Sequence, residues 1–229
     1  MKALVLFSGG LDSSVCLGLA VSRYGPDNVL ALSVSYGQKH IKEIEAAKKV
    51  AEYYGVQIKY LDLGEIFKDS DCTLLSGADR EIPHEEYEKQ LEKTAGAPVN
   101  TYVPYRNGLF LSSAASLALS NGCSEIYYGA HADDAAGNAY PDTSVAFNKA
   151  ISEAIYIGSG NALRVVAPFI DKPKSEVVRC GLELQVPFEL TWSCYEGKEH
   201  ACGVCGTCRD RLAAFAANNV KDPIPYEGE

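Results

Sequence analysis

The stretch from Ala3 to Ser14, "ALVLFSGGLDSS", decides the fold. Five apolar residues, Ala3 to Phe7, run without a polar break into Ser8-Gly9-Gly10. Such a run suits a parallel strand covered on both faces. A helix-period segment follows from Asp12 to Tyr24, with Val15 and Leu19 on one face. In open parallel sheets, ligands collect outside the carboxyl ends of the strands, where this glycine turn sits.

The same alternation continues along the chain. Val29–Val34, Val56–Leu61, Glu125–Tyr128 and Arg164–Ala167 read as further strands. His40 to Tyr54, Asn107 to Ser120, Ser144 to Ile157 and Lys174 to Leu184 read as helices. This predicts an α/β fold: a doubly wound, five-stranded parallel sheet with right-handed crossovers and helices on both faces. That domain is expected over residues 1–189, with a lid-like excursion at 65–100 that has no clear strand and some helix around Pro83–Lys93. Residues 131–144, "HADDAAGNAYPDTS", form a polar loop after the fourth strand. Residues 190–229 are expected to be a small metal-binding segment, with a helix from Cys205 to about Asn219 and a loop tail.

The chain has 229 residues and a net charge of −9, with no basic block. That balance argues against a nucleic-acid partner, whose phosphates need clustered Lys and Arg. No apolar run is long enough for a signal-peptide core or a membrane span, so a soluble cytoplasmic protein is the expectation. Of the eight cysteines, Cys16, Cys72, Cys123 and Cys180 are scattered and read as small buried hydrophobes. The other four crowd into residues 194–208, which suggests a metal rather than disulfides.

The glycine turn has the chemistry of a phosphate cradle. Glycines let the backbone approach a ligand closely, and converging amides join the positive end of the helix. The Walker spacing with Gly-Lys-Ser/Thr is absent, and so is the dinucleotide G-x-G-x-x-G. Without a loop lysine, other cations must balance the charge. Asp12 is the natural anchor for Mg²⁺ beside a triphosphate, and Ser8, Ser13 and Ser14 can donate to phosphate or cap the helix. An ordinary strand-to-helix turn with Ser and Asp caps is the plain alternative.

The spacing Cys194-x7-Cys202-x2-Cys205-x2-Cys208 suits one tetrahedral, four-thiolate zinc ion of structural type. Iron–sulfur ligation is the other reading of two overlapping C-x-x-C steps. His200 reads as a bystander.

Two resemblances sharpen these readings. Ser8-Gly9-Gly10-Leu11-Asp12-Ser13 resembles the S-G-G-x-D-S loop of the N-type ATP pyrophosphatases. It implies ATP held by Ser8 to Ser14 and cleaved between its α and β phosphates, with AMP placed on a substrate oxygen. Further on, Trp192-Ser193-Cys194-Tyr195 with Cys202-Gly203-Val204-Cys205-Gly206-Thr207-Cys208-Arg209 is similar to the late box of the 7-cyano-7-deazaguanine synthases. So are Val103-Pro104-Tyr105-Arg106-Asn107 and Pro168-Phe169…Lys174-Ser175-Glu176. The loop departs from that family: Asn138 and Ala139 are extra before Tyr140-Pro141-Asp142, and Thr143 stands where Cys is usual.

The resemblance implies conversion of 7-carboxy-7-deazaguanine, free ammonia and ATP to the nitrile preQ0, in a homodimer. Adenylation makes the acid an electrophile, ammonia gives an amide, and a second activation yields the nitrile. Lys174 and Arg106 are candidates for the missing positive charge, as against solvated surface residues. Asp134 and Asp142 could accept from the base's N–H edge, or simply make turns. Asn107 could contact substrate or cap its helix. Tyr102, Tyr105 and Tyr140 could stack on the ring or be ordinary core and rim tyrosines. A tRNA-thiolating enzyme using the cysteines for sulfur transfer is the rival reading, and a non-enzymatic, zinc-stabilised nucleotide-binding module is a third.

Overall fold

The computed structural model describes residues 1–39, 42–77, 82–84, 87–94 and 97–228. His40, the expected start of a helix, and residues 85–86 of the expected Pro83–Lys93 helix lie outside them. Five strands form one all-parallel sheet: β1 (Ala3–Leu6), β2 (Val29–Ser35), β3 (Gln57–Asp62), β4 (Glu125–Tyr127) and β5 (Arg164–Val166), in the order β3-β2-β1-β4-β5. The chain winds outward from β1 through β2 to β3, then returns to β4 on its other side. The switch point of the sheet therefore lies between β1 and β4, at the end of the glycine turn.

The helices are α1 (Leu11–Tyr24), α2 (Lys42–Tyr54), the short α3 (Gly64–Phe67), α4 (Tyr87–Lys93), α5 (Arg106–Ser120), α6 (Val145–Gly158), α7 (Lys174–Glu183) and α8 (Gly206–Ala217). Alternation along β1 sorts them into two layers. Ala3, Val5 and Phe7 face a core with Leu11, Val15, Ala47, Val50, Val177, Val178 and Phe215, from α1, α2, α7 and α8. Leu4 and Leu6 face the opposite core with Leu111, Ala114 and Ile155, from α5 and α6. The two-layered, doubly wound prediction holds.

The expected burial of every strand on both faces holds for the centre of the sheet only. β1 is wholly buried, whereas β3 is an edge, with Tyr60 55% exposed. Lysine, glutamine and aspartate along Gln57–Asp62 make that edge unattractive for further pairing. The excursion after β3 contains α3 and α4 and no strand among its described residues. Phe67, Cys72, Leu74 and Leu75 pack with Tyr36 and Val103, so this segment leans on the carboxyl end of β2.

The C-terminal segment is bolted on by charge. Arg211 is fully buried. Its Nε donates to Asp222 Oδ2 at 2.6 Å and its Nη2 to Asp222 Oδ1 at 2.9 Å. Its remaining donors reach Thr191 Oγ1 at 2.7 Å and the Phe188 carbonyl at 3.1 Å. Tyr226 donates to Asp222 Oδ2 at 2.7 Å. The tail, though loop as expected, is thereby held in place, with Ile224 and Tyr226 packed against the cysteines. Phe215 also reaches the main core, edge-on to Phe188 with ring centroids 5.1 Å apart.

The Arg211 cluster generates a first prediction. Arg211→Met should cost about 3–5 kcal/mol in urea unfolding, because it strands the Asp222 charge in the interior. Arg211→Met combined with Asp222→Leu should recover much of that loss; a double variant no better than the single one contradicts this account. Gly9 generates a second. Its φ is +86°, and a Cβ there would lie 2.3 Å from the Ala47 nitrogen and 2.4 Å from the Glu43 carbonyl oxygen. Gly9→Ala should therefore destabilise the fold by more than about 1 kcal/mol in the same measurement.

Candidate functional site: a cleft at the switch point

Gly10 caps α1 with extended backbone and no side-chain bond to the helix amides, leaving them for a ligand. The serines shape the turn. Ser8 N–H donates to Ser13 Oγ at 3.2 Å, and Gly10 N–H to Ser8 Oγ at 3.2 Å. Ser13 Oγ in turn donates to the Gly10 carbonyl at 3.2 Å. Ser8, Gly10, Asp12 and Ser13 line the cleft. Leu11 and Ser14 are wholly buried and do not line it. Gly9 supports the turn from behind: it packs on α2, and its carbonyl accepts from Trp192 N–H at 3.0 Å.

Beside the turn lies a compact charge cluster. Lys174, at the start of α7, has a side chain only 8% exposed. Its Nζ donates to Asp12 Oδ2 at 3.0 Å and to His131 Nε2 at 3.3 Å. His131 Nδ1, on the other edge of the ring, has no partner among the described residues. Asp134 Oδ1 lies 3.4 Å from the same Nε2. Asp133 holds the lysine from its other side, accepting Lys174 N–H at 2.8 Å. Burial opposes the charge on Lys174, but Asp12 and Asp134 outweigh it and hold the ammonium above its ordinary range. Burial likewise opposes ionisation of Asp12, and Lys174 and His131 outweigh it, so that carboxyl sits below its ordinary range. The solvated-surface reading of Lys174 is excluded by its burial.

The opposite wall comes from the 103–107 segment and the loop. Arg106 donates from Nη1 to Tyr36 Oη at 3.2 Å and lies 5.1 Å from the Tyr36 ring centre. Both line the cleft, with Asn107, Phe110, Asp134, Tyr140 and Thr143. Asp142 is buried and does not line it. Its Oδ2 accepts the Asn107 N–H at 2.9 Å, which caps the start of α5. Tyr140 is the one member of the Tyr102, Tyr105 and Tyr140 group on the cleft wall; its hydroxyl bonds to Thr101 Oγ1 at 2.6 Å. Tyr102 instead accepts the Tyr105 N–H at 2.8 Å. Tyr105 is exposed and holds a left-handed φ of 52°, which starts the turn into α5.

The cysteine segment closes the third side. Cys194, Cys202, Cys205 and Cys208 are buried, and their sulfurs lie within 4.8 Å of one another. Backbone N–H groups point at them: Cys202 N–H to Cys194 Sγ and Cys205 N–H to Cys202 Sγ, each 3.3 Å. Four sulfurs so gathered, with amides oriented toward them, fit a metal ion. Ser193, Tyr195, Thr207 and Asp210, all from this segment, line the cleft. Sequence reasoning missed His131, Asp210, Glu43, Tyr36, Tyr128 and Tyr195. The first sits four residues past the end of β4, at the start of the polar loop, a position that could have flagged it; the rest are brought in by packing between distant segments.

Comparison with known proteins agrees with this arrangement. Residues 2–219 match the family described as queuosine biosynthesis protein QueC. A 7-cyano-7-deazaguanine synthase of Archaeoglobus fulgidus is 43% identical over 230 residues, covering 100% of this chain and 92% of its own length. Another, from Caldicellulosiruptor bescii, is 41% identical over 229 residues, covering 100% of this chain and 99% of its own. Among solved structures, NMN synthetase from Francisella tularensis shares the fold, with a TM-score of 0.52 at 16% identity over 96% of this chain and 78% of that one. Among the described residues, no helix is long and apolar enough to cross a membrane. With full-length relatives at this identity, the chain belongs to the QueC family of queuosine biosynthesis proteins.

Proposed function

We propose that this chain is an ATP-dependent ligase that converts 7-carboxy-7-deazaguanine and ammonia to 7-cyano-7-deazaguanine, through an adenylated acid and then an adenylated amide. One observation carries the reading. A lysine-free phosphate turn is faced by the buried Lys174–Asp12 pair, in a cleft whose far wall offers Arg106 and tyrosines. The turn amides of Gly10 to Ser13 would hold the pyrophosphate portion of ATP. Asp12 Oδ1, buried and without a hydrogen-bond partner among the described residues, suits a Mg²⁺ ion brought with the nucleotide. That ion would neutralise phosphate charge. Lys174 stands ready beside it to stabilise charge that builds at the α-phosphate. Arg106 and Asn107 would orient the acid, with Tyr140 against its ring. Asp134, which lines the cleft, would accept from the base, while Asp142 would act by holding α5.

The four cysteines would bind a structural Zn²⁺, closed to catalysis by its full set of thiolates. A thiolating activity gains no support: all four cysteines are buried in one cluster. A cytoplasmic location is part of the proposal, and so is a homodimer, which rests on the family resemblance alone.

The direct test is incubation with ATP, ammonium and the carboxy-deazaguanine. AMP, pyrophosphate and a nitrile product are expected; AMP formed only with tRNA and a sulfur donor overturns the reading. Lys174→Ala should lower the rate of acid-dependent pyrophosphate release by about 10²–10³-fold while the thermal transition stays cooperative. Cys205→Ser should release zinc, read by elemental analysis. It should also weaken ATP binding, because the segment it anchors supplies Trp192 to the back of the phosphate turn.

A further inference from the structure

Glu43 lies in the first turn of α2 and lines the cleft. Its backbone carbonyl abuts Gly9, so the residue stands directly beside the phosphate turn. Its charged and titratable neighbours are Arg106 and Tyr36, on the same wall. Among the described residues its carboxylate has no hydrogen-bond partner. A half-buried acid that faces a ligand cleft and makes no hydrogen bond to the described residues does little to hold the fold. Burial pushes its carboxyl up to about 7, with Arg106 offsetting only part of the rise. That is the range in which a carboxylate both accepts and releases protons at neutral pH. Of the other acids lining the cleft, Asp12 is paired with Lys174 at 3.0 Å, Asp134 lies 3.4 Å from His131, and Asp210, whose carboxyl burial raises against the pull of Lys174, stands on the Lys174 side, away from the Arg106 wall.

We propose that Glu43 is the general base that removes protons from the attacking nitrogen. The inference rests on the ligase reading, which needs such a group. In the first round, the nitrogen lone pair of ammonia forms a bond to the acyl carbon of the adenylated acid. The carbon–oxygen bond to AMP breaks with its electron pair, and the surplus nitrogen proton passes to Glu43, leaving the amide. In the second round, the amide oxygen bonds to the α-phosphorus of a second ATP as pyrophosphate leaves, and one of the two amide N–H protons passes by way of Glu43 to solvent, giving the neutral imidate. Glu43 takes the remaining N–H proton, that electron pair becomes the third carbon–nitrogen bond, and AMP departs with the oxygen. Between rounds Glu43 returns its proton to solvent through the open cleft. Redox change is absent from both rounds, and the only reactants are the acid, ammonia and ATP.

The test separates activation from nitrogen transfer. Activation is followed as acid-dependent exchange of label between pyrophosphate and ATP; transfer is followed as amide and nitrile. In Glu43→Gln, exchange should stay within about threefold of the parent enzyme, while amide and nitrile formation should fall by about 10²-fold or more. Retained exchange also shows that the variant is folded. Hydroxylamine, a weaker base than ammonia and largely unprotonated at neutral pH, should restore transfer by giving the hydroxamate. If exchange and transfer fall together, Glu43 binds substrate instead, and the base assignment is overturned. Unchanged transfer overturns it too. A parent enzyme without acid-dependent exchange overturns the ligase reading itself.

Discussion

At position 9 the backbone of one element touches the backbone of another. The turn after β1 meets the first coil of α2 so closely that any side chain there would overlap Ala47 and Glu43. On its other side the same residue accepts a hydrogen bond from Trp192 N–H. Three parts of the chain that are far apart in sequence therefore converge on one glycine. Each brings its own contribution to the cleft: α1 carries Asp12, α2 carries Glu43, and the cysteine segment carries Ser193 and Tyr195. Relax that contact and the walls separate, even though both layers of the core could remain intact.

The cysteine segment is thus more than an appendage. Trp192 is clamped by its own Nε1–H to the Cys194 carbonyl at 2.9 Å, and Lys42 lies 4.3 Å from its ring centre. Arg211 ties the same segment to the tail from within. A buried ion pair of this kind gives modest net stability, since desolvation offsets much of its attraction. Its value here is geometric: five directed donors leave one arrangement for Phe188, Thr191, Ser193 and Asp222. The clustered sulfurs and the guanidinium act on either end of one short stretch and set where Trp192 meets the glycine turn.

Much of this was legible in the sequence, for identifiable reasons. Parallel strands buried on both faces leave unbroken apolar runs, so β1 and β2 could be read directly. The edge position of β3 could not, because strand order depends on which faces are left after the helices pack. The glycine turn and the four cysteines were legible because their chemistry is local and needs fixed spacing. Lys174 could be proposed from its neighbours in sequence, but its burial against Asp12 and His131 joins three separated segments. Asp142 shows the limit most clearly. An aspartate in a polar loop reads equally as ligand contact or turn former, and only its bond to Asn107 N–H reveals a helix cap. Glu43 gave no signal, since a glutamate near a helix start is commonplace.

The loop after β4 is nailed down at both ends. His131 is fixed by Lys174 and by a bridge to Phe169, and Asp142 is fixed by its grip on α5. Between them the chain winds through a 3₁₀ turn, Ala132–Asn138, before Ala139 tucks against Val99. There Ala139 faces the neighbouring 97–103 segment, and its carbonyl accepts the Val99 N–H at 3.4 Å. A span held only at its two ends can change length by a residue or two while the side chains at those ends, and the cleft wall they build, keep their places.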